Sequence, residues 1–162
     1  VIRILFVCTG NICRSPTAEG VFSTMVAKAG LADRISCESA GTHGYHIGEP
    51  PDLRAQQTAL KRGYDLGALR ARKVVAADFN DFDLMLAMDG ENLAALAALR
   101  PQGARIEPEL LLEHTGLATR QQTDVADPYY GSEQGFETML DVIEAAAAKL
   151  LASLAADSSQ GH

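Results

Sequence analysis

The stretch IRILFVCTGNICRSPTAEG, residues 2–20, constrains the fold more than any other part of the chain. Ile2, Ile4, Leu5, Phe6 and Val7 form a short, nearly continuous apolar run, the pattern of a strand buried on both faces in a parallel sheet. The run breaks at Gly10 and Asn11, and Ser15-Pro16 with Glu19 then predicts a helix start. In this reading Ser15 supplies a hydroxyl cap, proline takes the first helical position, and the helix runs to about Ala29 and ends at Gly30.

Downstream, a second strand is expected at Arg34 to Ser39 and a helix over Asp52 to Lys61, closing near Gly63. DLMLAM, residues 83–88, predicts a third strand, Asn92 to Leu99 a helix, and the neighbourhood of Ile106 a faint fourth strand. Gly135 to Leu154 is strongly amphipathic, with Phe136, Leu140, Ile143 and Leu150 on one stripe. GTHGYHIGEPP (41–51) and QQTDVADPYYG (121–131) read as loops. Alternating strands and helices imply right-handed crossovers and an α/β fold, a parallel sheet with helices on both faces. No repeat or linker divides the chain, so a single domain is expected over residues 1–156, with 157–162 a frayed tail. Sheets of this kind bind ligands at the carboxyl ends of their strands, where the loop after the first strand lies.

Composition narrows the partners. The 162 residues carry 47% hydrophobic and 22% charged side chains, which are globular values, and no apolar stretch approaches the length of a membrane span. A net charge of -7 disfavours nucleic acid, so an anionic ligand must be held by a local device. The three cysteines, Cys8, Cys13 and Cys37, suit reduced thiols better than a disulfide scaffold. VIRILFVC lacks the features of a signal peptide, which makes the cytoplasm the expected location and leaves signal-less secretion open.

A loop between a strand and a helix start gathers several backbone N–H groups, and the helix dipole adds positive charge there. Gly10 permits close backbone approach, and Asn11 tolerates left-handed dihedrals while bracing the loop with its amide. Arg14 supplies a planar fork for two oxygens of a tetrahedral oxyanion. Cys8 stands at the C(X)5R spacing from Arg14, where amides, dipole and guanidinium all favour a thiolate nucleophile. Ser15 is placed to donate to that sulfur. Phosphoryl transfer also needs a proton donor for the leaving oxygen and a base for water, and Asp127 in ADPYYG offers one carboxyl for both, with Tyr129 and Tyr130 beside it to wall a cleft. The Walker lysine pattern is absent from the loop.

VCTGNICRSPTAEG, SAGT (39–42), FDLMLAMD (82–89) and DPYYG together resemble the low-molecular-weight protein tyrosine phosphatase family, over roughly Ile2 to Leu154. The resemblance implies a four-stranded parallel sheet and hydrolysis of phosphotyrosine through a cysteinyl-phosphate, without metal or other cofactor. It makes Cys8 the nucleophile, Arg14 the phosphate ligand and Asp127 the general acid. Thr9, Gly10, Asn11, Ile12, Cys13 and Ser15 form the phosphate-binding loop and its support with Ser39, and Ile12, Tyr45, Tyr129 and Tyr130 wall the substrate cleft. The implied partner is a phosphotyrosine protein, a bacterial tyrosine kinase among the candidates, met by a monomer. Cys13 would either form a reversible disulfide with Cys8 or pack into the core. Many members carry a histidine just before the dipeptide that matches Ala71-Arg72; Leu69 and Arg70 stand there instead.

The residues leave two other functions open. A thiol-dependent arsenate reductase on the same fold needs a cysteine relay, usually after the third strand, and MLAMDGENLAALAAL contains none. A noncatalytic phosphoprotein-binding module would need neither the thiol nor the acid. Cys37 reads as core, His43 and His46 as surface or cleft-rim residues rather than zinc ligands with Cys8 and Cys13, and Asp78, Asp81, Asp83 and Asp89 as turn, cap and solvated residues.

Overall fold

The computed structural model describes residues 1–160, with side chains through Asp157. Four parallel strands form one sheet in the order β2-β1-β3-β4: β1 (Ile2–Cys8), β2 (Ile35–Gly41), β3 (Leu84–Ala87) and β4 (Glu109–Leu110). The central position of β1 explains its uninterrupted apolar run. Ile4, Phe6 and Cys8 join the core on one face, and Leu5 and Val7 join the core on the other.

On the first face lie α1 (Arg14–Lys28), α2 (Leu53–Lys61) and α6 (Glu133–Gln160), whose buried residues include Phe22, Ala55, Phe136, Leu140, Ile143 and Leu150. Phe6 and Phe22 meet edge to face at 5.8 Å. The second face is covered by α3 (Asp78–Asp81) and α4 (Gly90–Leu99) through Phe79 and Leu96. A one-turn α5 (Leu111–His114) follows β4 directly. Helices therefore cover both faces, as the strand and helix alternation requires.

Three expectations are corrected. The fourth strand is Glu109–Leu110, paired with Leu86 and Ala87, and not the neighbourhood of Ile106. Ile106 lies outside the ladder, its carbonyl accepting from Arg100 Nε at 2.8 Å instead of from a neighbouring strand. The last helix begins at Glu133 and continues through Gln160, so residues 157–160 of the expected frayed tail are helical; Gly161 and His162 lie outside the described residues. The first helix begins at Arg14, with Cys13 in the cap position and no side-chain cap bond. Ser15 is thus inside the helix, and its hydroxyl is used elsewhere. The topology puts β2 on one side of β1 and β3 on the other, so the carboxyl end of β1 opens into the crevice where the crossovers part.

Candidate active site

The loop from Cys8 to Arg14 is shaped by what its carbonyls do. Thr42 N donates to Cys8 O at 2.9 Å, His43 N to Thr9 O at 3.0 Å and Asp52 N to Ile12 O at 2.8 Å. With those carbonyls engaged by neighbouring segments, the amides of residues 10–13 find no backbone acceptor among the described residues and remain available to an anion. Asn11 takes φ 59°, alone among non-glycine residues described in having positive φ. Gly41 allows the end of β2 to press on the loop: a Cβ there would lie 2.7 Å from Thr9 O and 3.2 Å from Asn11 N. A Cβ on Gly10 would meet His46 Cδ2 at 3.0 Å.

The strained turn at Asn11 is held by its own side chain. Nδ2 donates to Ser15 Oγ at 2.8 Å and to Ser39 Oγ at 2.9 Å, while Oδ1 accepts from Arg72 N at 2.9 Å. Ser15 Oγ accepts from Asn11 and lies 2.9 Å from Cys8 Sγ and 3.4 Å from Ala40 O, so the sulfur is the nearer of two acceptors within reach of its proton. This is why Ser15 does not cap the helix. Ser39 in turn donates to Glu19 Oε1 at 2.7 Å, and burial pushes the Glu19 carboxyl above its ordinary pKa. The brace from Arg72 is a backbone N–H, so the loop is tied down at this point without a histidine near Leu69.

Arg14 is 2% exposed and anchored chiefly by groups distant in sequence. Its Nη1 donates to Asp89 Oδ2 at 2.6 Å and to Val125 O at 2.9 Å, and Nη2 lies 3.4 Å from Thr9 Oγ1. Burial works against the guanidinium's charge, but the Cys8 sulfur and Asp89 outweigh it and keep the pKa above its usual value. Asp89, expected to be a turn or cap residue, does cap α4 through Asn92 N at 2.7 Å, and with its other oxygen fixes the Arg14 fork. The buried Asn92 amide, turned so that its nitrogen donates to Asp89 Oδ1 at 2.9 Å, accepts from Thr9 N and Oγ1 and couples this anchor back to the loop. Asp78 is likewise buried rather than solvated, accepting both Arg72 guanidinium nitrogens and Val75 N.

Asp127 reaches the same place from the far end of the chain. Its Oδ2 is 3.5 Å from Arg14 Nη2, its Oδ1 accepts from Tyr129 N at 3.0 Å, and its side chain is 44% exposed. One cleft is lined by Cys8, Gly10, Ile12 and Arg14 of the loop after β1, by Asp127, and by Tyr45, His46, Tyr129 and Tyr130. Tyr129 and Tyr130 meet edge to face at 4.9 Å, and Tyr45 stacks on His43 at 5.0 Å. Tyr130 is 95% exposed and borders only the outer mouth. His46, expected at the surface or the cleft rim, lines the cleft, its ring tilted against Tyr129 and its Nδ1 2.5 Å from Glu49 Oε2.

Cys8, Cys13 and Cys37 are free thiols. Burial, with the nearby Asp52 carboxylate, pushes the Cys13 thiol far up, which leaves it a poor thiolate donor. Cys37 is half-buried, packs on the core from β2, and is pushed by burial to about 12. Among the described residues no group of three or more histidine, cysteine, aspartate or glutamate side chains is placed to hold a metal ion.

A cleft with a sulfur at its floor, unpaired amides, a buried guanidinium and a carboxyl at its edge is equipped to bind a tetrahedral oxyanion and exchange its phosphorus between oxygen and sulfur. The family model for low molecular weight phosphotyrosine protein phosphatase matches residues 3–160. A low molecular weight protein-tyrosine-phosphatase of Streptomyces coelicolor is 42% identical over 153 residues, 94% of this chain and 93% of that protein. Among solved structures, a protein tyrosine phosphatase from Entamoeba histolytica superposes with a TM-score of 0.89 at 36% identity, covering 98% of this chain and 99% of that one. The Drosophila arginine phosphatase DARP gives 0.84 at 30% identity, covering 94% and 98%. With a family match along nearly its whole length, the chain belongs to the low molecular weight phosphotyrosine protein phosphatases, enzymes of the protein tyrosine phosphatase class.

Proposed function

We propose that the enzyme hydrolyses phosphotyrosine in two displacements at Cys8. In the first, the Cys8 sulfur attacks phosphorus while the loop amides and Arg14 hold the three non-bridging oxygens. The S–P bond forms, the P–O bond to the aryl group breaks, and Asp127 gives its proton to the departing phenolate oxygen. In the second, Asp127 takes a proton from water, the water oxygen bonds to phosphorus, and the S–P bond breaks to release inorganic phosphate. Ser15, donating to the sulfur at 2.9 Å, eases that departure. The observation that carries this reading is the meeting of Cys8, Arg14 and Asp127 in one cleft.

The walls favour an aromatic ester. Ile12, Tyr45 and Tyr129 offer apolar and aromatic surface to a ring, which phosphotyrosine supplies and phosphoserine does not. Phosphoarginine would bring a guanidinium against Ile12 with only Asp127 as a carboxylate in the cleft lining, a poorer match for a charged leaving group. The proposed substrate is accordingly a phosphotyrosine protein, a bacterial tyrosine kinase being one candidate. For Cys37, a part in an arsenate reductase relay is disfavoured by distance as well as by sequence. Cys37 pairs with Ile4 in the β1–β2 register, four residues below Cys8, or roughly 13 Å along a strand at about 3.3 Å per residue.

Steady-state hydrolysis of matched phosphotyrosine, phosphoserine and phosphoarginine peptides tests the reading. Turnover is expected on phosphotyrosine first, lost by about 10^4-fold or more in Cys8→Ser. In Asp127→Asn, phosphoenzyme formation should slow by ~10^2-fold or more with little change in inhibition by inorganic phosphate. Full activity in Cys8→Ser contradicts the mechanism, and preference for phosphoarginine contradicts the substrate.

A further inference from the structure

We propose that Asp52 and Arg54 are positioning residues that clamp the acid-bearing loop to the phosphate loop, an inference that rests on Asp127 being the general acid. Asp127 does little to place itself. Its side chain is nearly half exposed, and its contacts are the Tyr129 amide two residues on and the longer approach to Arg14. Where its carboxyl sits is therefore decided by where the backbone at Tyr129 sits.

That backbone is held from outside the loop. Arg54 Nη2 donates to Tyr129 O at 2.9 Å, and its guanidinium lies 5.6 Å from the centre of the Tyr129 ring and 4.7 Å from that of Phe136, in the helix that follows. Arg54 is locked in turn by Asp52, with Nε to Oδ1 at 3.1 Å and Nη2 to Oδ2 at 2.9 Å, a two-point fork that a lysine does not reproduce. Asp52 also caps α2 by accepting from Arg54 N at 2.8 Å. Its own backbone N donates to Ile12 O in the phosphate loop. A continuous path thus runs from Ile12 through Asp52 and Arg54 to Tyr129, joining the loop that binds phosphate to the loop that delivers the proton. Burial disfavours the Asp52 charge, yet the hydrogen bonds from Arg54 hold its carboxyl below the usual range, so the fork stays ionised at neutral pH.

Partly exposed ion pairs contribute little to stability, so the clamp should show itself in the placement of a proton donor. A general acid matters most when the leaving group is basic, and displacing it by an ångström steepens the dependence of rate on leaving-group basicity. The experiment measures kcat/KM, which reads phosphoenzyme formation, for phenyl phosphate and for an activated dinitrophenyl phosphate. It compares wild type, Arg54→Met, Asp52→Asn, Asp127→Asn and Arg54→Met/Asp127→Asn. Arg54→Met should lose about tenfold on phenyl phosphate and less than about threefold on the activated ester, with inhibition by inorganic phosphate within about twofold of wild type. Asp52→Asn, which keeps the cap acceptor, should show the same pattern more weakly. In the Asp127→Asn background, Arg54→Met should cost less than about twofold, since there is no acid left to misplace. Equal losses on both esters, or a full additional loss in the double variant, would overturn the clamp. If Asp127→Asn itself lost equally on both esters, the assignment of the acid would fail instead, which separates the two ideas.

Discussion

The phosphate loop and the acid-bearing loop face each other across one cleft, yet the first buries its polar side chains and the second leaves its own in water. Asn11, Arg14 and Ser15 are each no more than 2% exposed; Asn11 and Arg14 are held by partners from other segments, and Ser15 is held by Asn11. Asp127 is 44% exposed and Tyr130 95%. The difference follows from what each loop must do. A ring of donors stabilises transferring charge only if it is fixed before the substrate arrives, because reorganising dipoles during reaction consumes the gain. In the proposed reaction the Asp127 carboxyl must instead meet a leaving oxygen and then a water, so it needs access to both and only a defined height above the floor.

The largest effect should come from breaking the rigid side. Arg14→Lys keeps the charge but loses the fork shared among Asp89, Val125 O and the substrate oxygens, and a fall in kcat/KM of about 10^2- to 10^3-fold is expected by steady-state kinetics. Asn11→Ala comes next. It removes three hydrogen bonds and puts a Cβ-bearing residue without a local brace at φ 59°. Denaturant unfolding should show a loss of about 2–4 kcal/mol, and phosphate inhibition should weaken along with turnover. An unchanged phosphate affinity would mean that the loop is not kept in shape by Asn11.

The smallest effect concerns Glu19, at the end of the same network. Its folded pKa is raised by burial, so the native state binds this proton more tightly than the unfolded chain does. As pH climbs from the ordinary glutamate value of about 4.3 through the raised one, the unfolded state holds fewer protons than the native and stability falls. Glu19→Gln keeps the oxygen that accepts from Ser39 and removes the titration. Melting curves across that window should show the variant gaining on wild type as pH rises, and a constant difference would contradict the assignment.

The chemistry-bearing half of the site was legible because it is local. Strand, glycine, asparagine, arginine and helix start follow one another within a few residues, so Cys8 and Arg14 are brought together by the turn alone. What escaped the sequence was contributed from a distance. Asp89 sits 75 residues from Arg14, and its dual use as a helix cap and guanidinium anchor leaves no local trace. One signal was available: Asp89 follows the third strand, so the sheet rule places it at the same carboxyl edge as Cys8. Ser15 carries two readings in the sequence, helix cap and donor to the Cys8 sulfur; a serine before Pro16 is an ordinary cap, but the helix already starts at Arg14 and the hydroxyl lies with Asn11 and Cys8 of its own loop. The two-residue β4 gave no periodicity to read, and its place is set by pairing with Leu86 and Ala87.

The central claim is that phosphate passes through Cys8 under control of Asp127, and trapping the intermediate tests it most directly. Wild-type enzyme and Asp127→Ala, mixed with an activated aryl phosphate and quenched in acid within milliseconds, should both yield the Cys8-containing peptide carrying one phosphoryl group by mass spectrometry. The adduct should persist longer in Asp127→Ala, where no base activates water, and be absent in Cys8→Ser. Phosphate found on another residue, or turnover with no adduct on Cys8 at any time, would contradict the account.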